Sequence, residues 1–431
     1  MENDSPVLEL STPQMNCHHD GEEFQEGHVL GKASSNPGLR PRFCAPLCPQ
    51  DRPKTRSSGS VSEQGPHLET FNNMVIADLE ELELNMNKKK NTFNLSKEEA
   101  EKRQTERVSI LFMALLISRR MAATIMDVTK ETAKDLLQLV GETSQTMTRM
   151  SVMDHFDPIK ELGKGSYGKV LLANHRRSGQ LVALKMLVKE KTLADNFLLE
   201  YSICVYLGIH PHIVTTFRMA FETPSNYVFV QEVAPAGTLH SIITPKVGLQ
   251  EDIVKRCILQ LTSALEFIHY KGLVHRDIKL NNILLMDHEC HCIKLADFGL
   301  TRLQGTYVPG MSWIIPYMAP ELCLVADSEQ ILLHPSLDVW AFGVLVYVML
   351  TGCFPWKEAL PRDQQYLQFV HWQVFKDTVP IPAEWRLVTT ESQHFFRLML
   401  AIDATDRCSV SHIVEYIHWP WKADIPHKDI T

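Results

Sequence analysis

The chain has 431 residues, of which 45% are hydrophobic and 22% are charged. These proportions are typical of a globular protein, and the length allows a two-lobed domain together with a substantial extension. The net charge of −8 and the lack of a concentrated basic stripe argue against nucleic acid and anionic lipid as main partners.

The sequence contains no segment that predicts membrane insertion. Its start, Met1 to Pro6, has neither the basic region nor the apolar region of a secretory signal. The longest apolar run, Ile110 to Ile117, is too short to span a bilayer, so we expect no transmembrane segment. The ten cysteines have no framework spacing. We therefore expect reduced thiols and a location in the cytosol or the nucleus.

Residues 1–70 are rich in proline, serine, glycine and charge and contain few large apolar side chains. Such a segment cannot bury enough surface to offset its chain entropy, so we predict that it is disordered. Within it, Pro46 and Pro49 have the spacing that SH3 domains bind. Because this spacing is common in proline-rich segments, we favour a plain linker and keep an SH3-domain partner as the alternative.

Residues 71–152 are predicted to form a helical extension. Ser96 followed by Glu99 is typical of a helix N-terminus. Apolar residues then recur near helical spacing: Val108, Leu111, Phe112, Leu115, Ala122, Ile125, Met126, Leu136, Leu137 and Val140. We favour one or two amphipathic helices that pack on the rest of the chain. A dimerising coiled coil and a helix on a membrane surface remain alternatives.

Residues 153–421 are predicted to form one α+β domain with two lobes. From Phe156 to about Val233 apolar and polar residues alternate, which predicts a β-rich small lobe at 153–234. From Gly237 helical spacing dominates, which predicts a helical large lobe at 235–421. Residues 422–431 would be a short tail. A crevice between lobes is a common place for a ligand.

The first chemical motif is a glycine-rich turn, Gly163-Lys164-Gly165-Ser166-Tyr167-Gly168, between two β-prone runs. Residues without Cβ let backbone N–H groups approach phosphate oxygens closely. In dinucleotide-binding folds such a turn leads into a helix. Here a strand ending at Lys185 follows instead, and Glu200 comes next on a helix-like segment. This order predicts a Lys185–Glu200 ion pair that holds the lysine on nucleotide phosphates.

The second motif joins His275-Arg276-Asp277 to Lys279, Asn282 and Asp297-Phe298-Gly299. Phosphoryl transfer needs a carboxylate beside the attacking hydroxyl and a cation near the moving phosphate. It also needs two oxygen-bearing side chains that hold Mg²⁺. The motif supplies all of these groups in one stretch.

Together these motifs resemble the eukaryotic protein kinase family over residues 153–421. Within that family the sequence is similar to the SH3-binding-domain serine/threonine kinases. The supporting stretches are Tyr227 to Gly237, Val247 to Cys257 and Asp338 to Leu345. The resemblance implies the two-lobed protein kinase fold and an ATP-dependent serine/threonine kinase that acts on protein substrates with ATP and Mg²⁺. Lys279 also argues against a tyrosine kinase.

The resemblance also implies a role for each site residue. Asp277 would orient the substrate hydroxyl and accept its proton, and Lys279 would neutralise the γ-phosphate. Asn282 and Asp297 would ligate Mg²⁺ through hard oxygen atoms. The implied ATP-binding residues are Leu162, Gly163, Lys164, Gly165, Ser166, Tyr167, Gly168, Val170, Ala183, Lys185, Glu200, Glu232, Ala234 and Leu284, with Gln231 at the back of the pocket.

Other matches are implied to be structural or regulatory. Asp338 would hold the backbone of the His-Arg-Asp segment, and Glu321 would form a buried ion pair with Arg407. Arg276 would bind a phosphate on the activation segment. The candidate acceptors of that phosphate are Thr306, Tyr307 and Ser312, of which we prefer Thr306.

The chain departs from the kinase pattern at two places. Trp313-Ile314 stands where serine/threonine kinases usually carry Gly-Thr, and isoleucine cannot donate the hydrogen bond of that threonine. Leu280-Asn281 replaces the usual Pro-Glu and so removes a carboxylate that attracts basic substrates. The alternative to an active enzyme is therefore a pseudokinase that binds nucleotide or partners with little transfer.

Overall fold

The computed structural model describes residues 126–311, 315–326, 329–375 and 378–423. Several predictions made above fall outside them: the disorder of residues 1–70 with Pro46 and Pro49, the helix start at Ser96, the acceptor Ser312, and the Trp313-Ile314 pair.

The described chain begins with helix α1, residues 126–146. It continues into a short strand, β1 (Thr148–Arg149), and a single helical turn, α2 (Val152–His155). The side chain of Ser151 accepts a hydrogen bond from Met153 N–H, and that of Asp154 accepts one from Ser151 N–H. This reciprocal pairing satisfies backbone donors at the start of α2 and fixes the entry into the next strand.

The small lobe is built on a six-stranded sheet. Its strands after β1 are β2 (Phe156–Lys164), β3 (Gly168–His175), β4 (Leu181–Val188), β5 (Thr216–Glu222) and β6 (Asn226–Gln231). The order across the sheet is β1-β5-β6-β4-β3-β2, and every pairing is antiparallel except that of β1 with β5. The period-2 alternation in the sequence therefore marks real strands, with Leu184, Phe221 and Val228 buried on one face.

The other face of this sheet is covered by helix α3 (Ala194–Leu207). The ring of Phe197 stacks on Tyr227 at 4.9 Å and lies 6.0 Å from Phe229, both of which belong to β6. The N-cap position of α3, Leu193, makes no side-chain capping hydrogen bond. The stability of α3 therefore comes from its packing on the sheet and not from a side-chain cap at its N-terminus.

The large lobe is mostly helical. Its helices are α4 (Glu251–Tyr270), α5 (Pro320–Cys323), α6 (Ser336–Thr351), α7 (Gln364–Val374) and α8 (Thr390–Met399). Short strands pair as β7 (Leu273–Val274) with β10 (Arg302–Leu303), β8 (Ile283–Leu285) with β9 (Ile293–Leu295), and β11 (Tyr307–Pro309) with β12 (Gln330–Leu332). Together with the sheet described above, this confirms the predicted α+β architecture of two lobes.

Helix α6 forms the centre of the large lobe, and every residue in it is buried. The helix ends at Gly352, which has φ +69, and a Cβ there would lie 2.3 Å from the carbonyl oxygen of Thr244. Only glycine fits this left-handed and crowded position. Among the described helices, none is both long enough and apolar enough to cross a bilayer.

The ion pair implied between Glu321 and Arg407 is present. The guanidinium donates from Nη1 to Glu321 Oε1 at 2.6 Å and from Nη2 to Oε2 at 2.7 Å, and the Arg407 side chain is fully buried. It links α5 to the segment after α8. Arg407 also donates to the carbonyl oxygens of Ala401 and Ser336, so the pair belongs to a buried network.

We predict that Glu321→Ala lowers the free energy of unfolding by about 3–5 kcal/mol, because the buried guanidinium loses its counter-charge. Urea unfolding at neutral pH measures this loss. The control is Glu358→Ala, which removes the carboxylate partner of the solvent-exposed Arg362. We expect that variant to unfold close to the parent, since exposed pairs contribute little. Equal unfolding midpoints for Glu321→Ala and the parent would contradict the prediction.

Candidate active site

The glycine-rich turn connects β2 to β3 at the edge of the small lobe. Gly165 N–H donates to the Gly168 carbonyl at 2.8 Å and closes the turn. A Cβ built at Gly163 or Gly165 would meet nothing within 4 Å, whereas one at Gly168 would lie 1.9 Å from Met186 O. Gly168 is therefore required by the packing of β3 against β4. Gly163 and Gly165 leave open space beside the backbone.

Lys185 joins the small lobe to the large lobe. Its Nζ is 2.6 Å from Glu200 Oε1 and 2.8 Å from Asp297 Oδ1. The lysine comes from β4, the glutamate from α3, and the aspartate from the segment after β9. The Lys185–Glu200 ion pair predicted from sequence is therefore present, and it is joined by a second carboxylate from the large lobe.

Lys185 and Asp297 stabilise the charged form of each other, whereas burial raises the pKa of Glu200. Burial favours the neutral form of Lys185, but Asp297 and Glu200 outweigh burial and raise the pKa of the lysine. The positive charge of Lys185 in turn lowers the pKa of Asp297 to about 2. Lys185 and Asp297 are therefore both charged at neutral pH, as phosphate and cation binding require.

The loop that follows β7 is held by Asp338, in the first turn of α6. The Asp338 carboxylate is fully buried and accepts hydrogen bonds from His275 N–H and Arg276 N–H, each at 2.8 Å. It also contacts His269 Nε2 at 2.9 Å. Burial alone would raise the pKa of Asp338, but these hydrogen bonds and the nearby histidines lower it. The carboxylate is therefore ionised and can anchor the loop.

Asp277 lies at the end of this anchored loop, beside Asn282. The Asn282 Nδ2 group donates to Asp277 Oδ2 at 2.8 Å and to the Asp277 carbonyl at 2.9 Å. Lys279 Nζ is 3.3 Å from Asp277 Oδ1. The two amide hydrogens of Asn282 are thus occupied, and its amide oxygen is the atom left to act as a ligand.

The Asp297-Phe298-Gly299 segment contacts both halves of the cleft. Phe298 is fully buried with its ring 4.9 Å from that of His275. A Cβ on Gly299 would lie 3.2 Å from Glu200 Oε2, so the backbone passes close to α3. Asp297 itself has a positive φ of 66°, and its side chain is 46% exposed. One carboxylate oxygen contacts Lys185, and the group remains open to the cleft.

Two of the apolar residues implied to bind ATP, Val170 and Ala183, share one face of the small-lobe sheet with Lys185. Val170 of β3 is the cross-strand partner of Lys185, and Ala183 lies two residues before Lys185 on β4. Residues in these positions point to the same side. Ala183 is buried, and Val170 is partly exposed. Leu284 lies on β8 and Leu162 on β2, where it is 43% exposed.

The segment after β6 is fixed by polar contacts. The Glu232 carboxylate accepts hydrogen bonds from Thr215 N–H at 2.5 Å and Lys294 Nζ at 2.6 Å. The Glu232 N–H donates to the Thr215 carbonyl. Gln231 is buried and donates to Thr216 Oγ1 at 3.0 Å. Ala234 follows without regular secondary structure. These contacts hold the connection between the lobes in place.

The activation segment, residues 299–319, includes β10 and carries the candidate phosphate acceptors. Arg276 donates from Nη1 to the Leu300 carbonyl at 3.0 Å. Thr306 is exposed and donates to the Leu303 carbonyl at 2.6 Å. Tyr307, the second candidate acceptor in the described chain, is also exposed. Both residues therefore lie at the surface of the segment.

Two features of the site were not predicted from the sequence. One is the direct contact of Lys185 with Asp297, which depends on the distance between the two lobes. The other is Arg302, whose Nη1 donates to the carbonyls of Gly299 and Thr301. No spacing in the sequence indicates either contact.

Comparisons with known proteins find relatives over this part of the chain. A family model described as the protein kinase domain matches residues 156–420. The serine/threonine-protein kinase SBK1 of Danio rerio is 47% identical over 293 residues, which cover 68% of this chain and 76% of that protein. SBK1 of Mus musculus is 44% identical over 276 residues, covering 64% and 66%. SBK2 of Homo sapiens is 39% identical over 295 residues, covering 68% and 85%.

Burial of His275 predicts a pH-dependent stability. The residue is fully buried, and burial lowers its pKa below the ordinary value. Below about pH 6.5 the unfolded chain takes up a proton that the folded chain resists, so stability falls as pH falls, by at most about 1.4 kcal/mol per pH unit for one proton.

Urea unfolding of His275→Asn between pH 7.5 and 5.5 tests this sign. We expect the variant to lose less stability over that range than the parent does. His288→Asn, at an exposed position, is the control and should keep the slope of the parent. An unchanged slope in His275→Asn would rule out this source of pH dependence.

Proposed function

Because the chain belongs to the serine/threonine protein kinases and is similar to the SBK kinases, we propose that it is an active enzyme that transfers the γ-phosphate of ATP to serine and threonine hydroxyls of proteins. The observation that carries the proposal is the contact of Lys185 with both Glu200 and Asp297. In kinases the lysine–glutamate pair and the magnesium-binding aspartate must be in place together for transfer.

The charges of the cleft suit a magnesium nucleotide. Lys185 supplies a cation for the nucleotide phosphates. Asp297 and the amide oxygen of Asn282 are hard oxygen ligands, which Mg²⁺ prefers. Bound Mg²⁺ would neutralise the charge of the β- and γ-phosphates. Gly163 and Gly165 leave open space beside the backbone of the turn, in which phosphate groups would fit.

Asp277 and Lys279 are the groups that would act on the reacting atoms. The Asp277 carboxylate is oriented by Asn282 and would bind the substrate hydroxyl and receive its proton. The ammonium group of Lys279, beside the same carboxylate, would stabilise charge on the transferred phosphate. Transfer then needs positioning and charge stabilisation, without a covalent enzyme intermediate.

Transfer of labelled γ-phosphate to a protein or peptide acceptor tests the proposal. We expect Asp277→Asn to reduce the rate by about 10²-fold or more, because the base is lost while the hydrogen bond to Asn282 can be retained. The control is Asp252→Asn, at an exposed position of α4. Its rate should equal that of the parent.

A parent protein that binds ATP with Mg²⁺ but transfers no more label than Asp277→Asn would be a pseudokinase. ATP binding is therefore measured in parallel, from the shift of the melting temperature with nucleotide. Lys185→Met should reduce that shift, since the cation that faces the phosphates is lost.

The substrate preference follows from Leu280 and Asn281. Leu280 is buried and Asn281 is exposed, so this turn presents no carboxylate to a basic peptide. We predict that a peptide library shows no strong selection for arginine upstream of the acceptor. Asn281→Glu should increase the rate on arginine-containing peptides relative to neutral ones. Dominant arginine selection by the parent would refute the prediction.

A further inference from the structure

Helix α1 contacts both lobes, although it lies outside the residues that the kinase family model matches. Its buried side is formed by residues at helical spacing, with Thr132 1% exposed and Leu136 3% exposed. The neighbouring Leu137 is 73% exposed. The helix therefore has one well-defined packing face.

The first contact of this face is with α3. Leu136, one helical turn after Thr132 on the same face, is buried in the main apolar cluster, which also includes the apolar residues of α3. Thr132 Oγ1 lies 3.3 Å from the hydroxyl of Tyr206, in the last turn of α3. Tyr206 is about two helical turns from Glu200. A shift of α3 at Tyr206 would therefore move the glutamate that holds Lys185.

The second contact is with the large lobe, next to the loop that follows β7 and carries Asp277, which we call the catalytic loop. Gln304 Nε2 donates to Thr129 Oγ1 at 3.2 Å. A Cβ on Gly272 would lie 2.3 Å from the same oxygen, so helix and backbone touch closely. Gly272 directly precedes β7, which leads into His275-Arg276-Asp277. The ammonium group of Lys271 lies 5.4 Å from the ring of Tyr206, so the end of α3 also lies close to this segment.

The contact between α1 and α3 is narrow. A cavity of about 520 Å³ lies between the later part of α1, α3 and β5, and its lining includes Thr143, Ser202 and Arg218. The Ser202 hydroxyl is buried without a hydrogen-bond partner. The cavity separates part of the later turns of α1 from α3. Thr132, which lies before it, contacts α3 directly.

From these contacts we propose that α1 positions α3 for catalysis. Leu136 and Thr132 hold α3 so that Glu200 reaches Lys185, and Thr129 fixes α1 against the segment that enters the catalytic loop. Leu136 and Thr132 are positioning residues, since they touch neither the nucleotide nor the acceptor. This inference rests on the proposed kinase function and adds a segment of the extension to its machinery.

The test compares Leu136→Ala with Leu137→Ala in the full chain. The two variants make the same change one residue apart, at a buried and at an exposed position. We expect Leu136→Ala to lower kcat and raise the KM for ATP, so that kcat/KM for ATP falls about tenfold or more, because the Lys185–Glu200 pair is misplaced. The KM for the peptide acceptor should not change. Leu137→Ala should behave as the parent.

Amide hydrogen exchange, measured by mass spectrometry, provides a readout that needs no activity. Leu136→Ala should increase exchange in α3 and leave α6 unchanged. Leu136→Met, which conserves the side-chain volume, should keep the kinetics of the parent and its protection of α3 from exchange. Thr132→Val replaces the hydroxyl with a methyl group. It should show smaller changes than Leu136→Ala, in the same direction, in the kinetics and in the exchange of α3.

The outcomes separate this inference from the proposed function. Faster exchange in α3 of Leu136→Ala, in a protein that never transfers phosphate, would support the α1 contact and refute the active kinase. An active parent whose kinetics and α3 exchange are unaffected by Leu136→Ala would refute the positioning role. A variant with a lower melting temperature but unchanged α3 exchange and KM for ATP would likewise make α1 only a stabilising addition.

Discussion

The hydrogen bonds that Asp338 accepts from His275 N–H and Arg276 N–H determine the shape of the catalytic loop. Arg276 has φ 72, a left-handed conformation that costs a residue with a side chain about 1–3 kcal/mol. A charged acceptor contributes about 1.5–3 kcal/mol for each hydrogen bond and offsets that cost. Since Asp338 belongs to α6, which is buried along its whole length, the loop takes its rigidity from the centre of the large lobe.

The two halves of the site are therefore held with different strength. Asp277 and Asn282 are fixed by hydrogen bonds within the large lobe. The Lys185–Glu200 pair requires α3 to be in place, and α3 lacks a side-chain cap at its start. An ion pair between separate elements forms only when their packing is correct. Hydrogen bonds within the large lobe thus determine the geometry of Asp277 and Asn282. The geometry of the Lys185–Glu200 pair depends on the segment that packs on α3.

The sequence predicted the parts of the structure whose residue types are dictated by chemistry. Lys185, Glu200, Asp277 and Asn282 belong to motifs in which the chemistry dictates the residue types. The Glu321–Arg407 pair was implied by the resemblance to protein kinases. The alternation of apolar residues likewise predicted the small-lobe sheet.

Contacts that depend on how closely separate elements approach one another were not predicted. Gly168 stays a predicted ATP-binding residue, and the structure adds that its close approach to Met186 excludes a side chain there. Leu137 was included in the apolar face of the extension, yet it is exposed, because spacing alone cannot separate neighbouring leucines.

The structure also indicates where the activity of such a protein can be adjusted without changing its chemistry. Substitution of Lys185, Asp277 or Asp297 removes a charge that phosphoryl transfer needs. Such a change removes most of the activity and cannot adjust it gradually. The contact of α1 with α3 is different, because it lies beside a cavity and includes none of these charged residues. Small changes in packing there alter the position of Glu200 by degrees. Residues 126–146 are therefore the part of the described chain in which packing, independent of the catalytic groups, can set how often the site is correctly assembled.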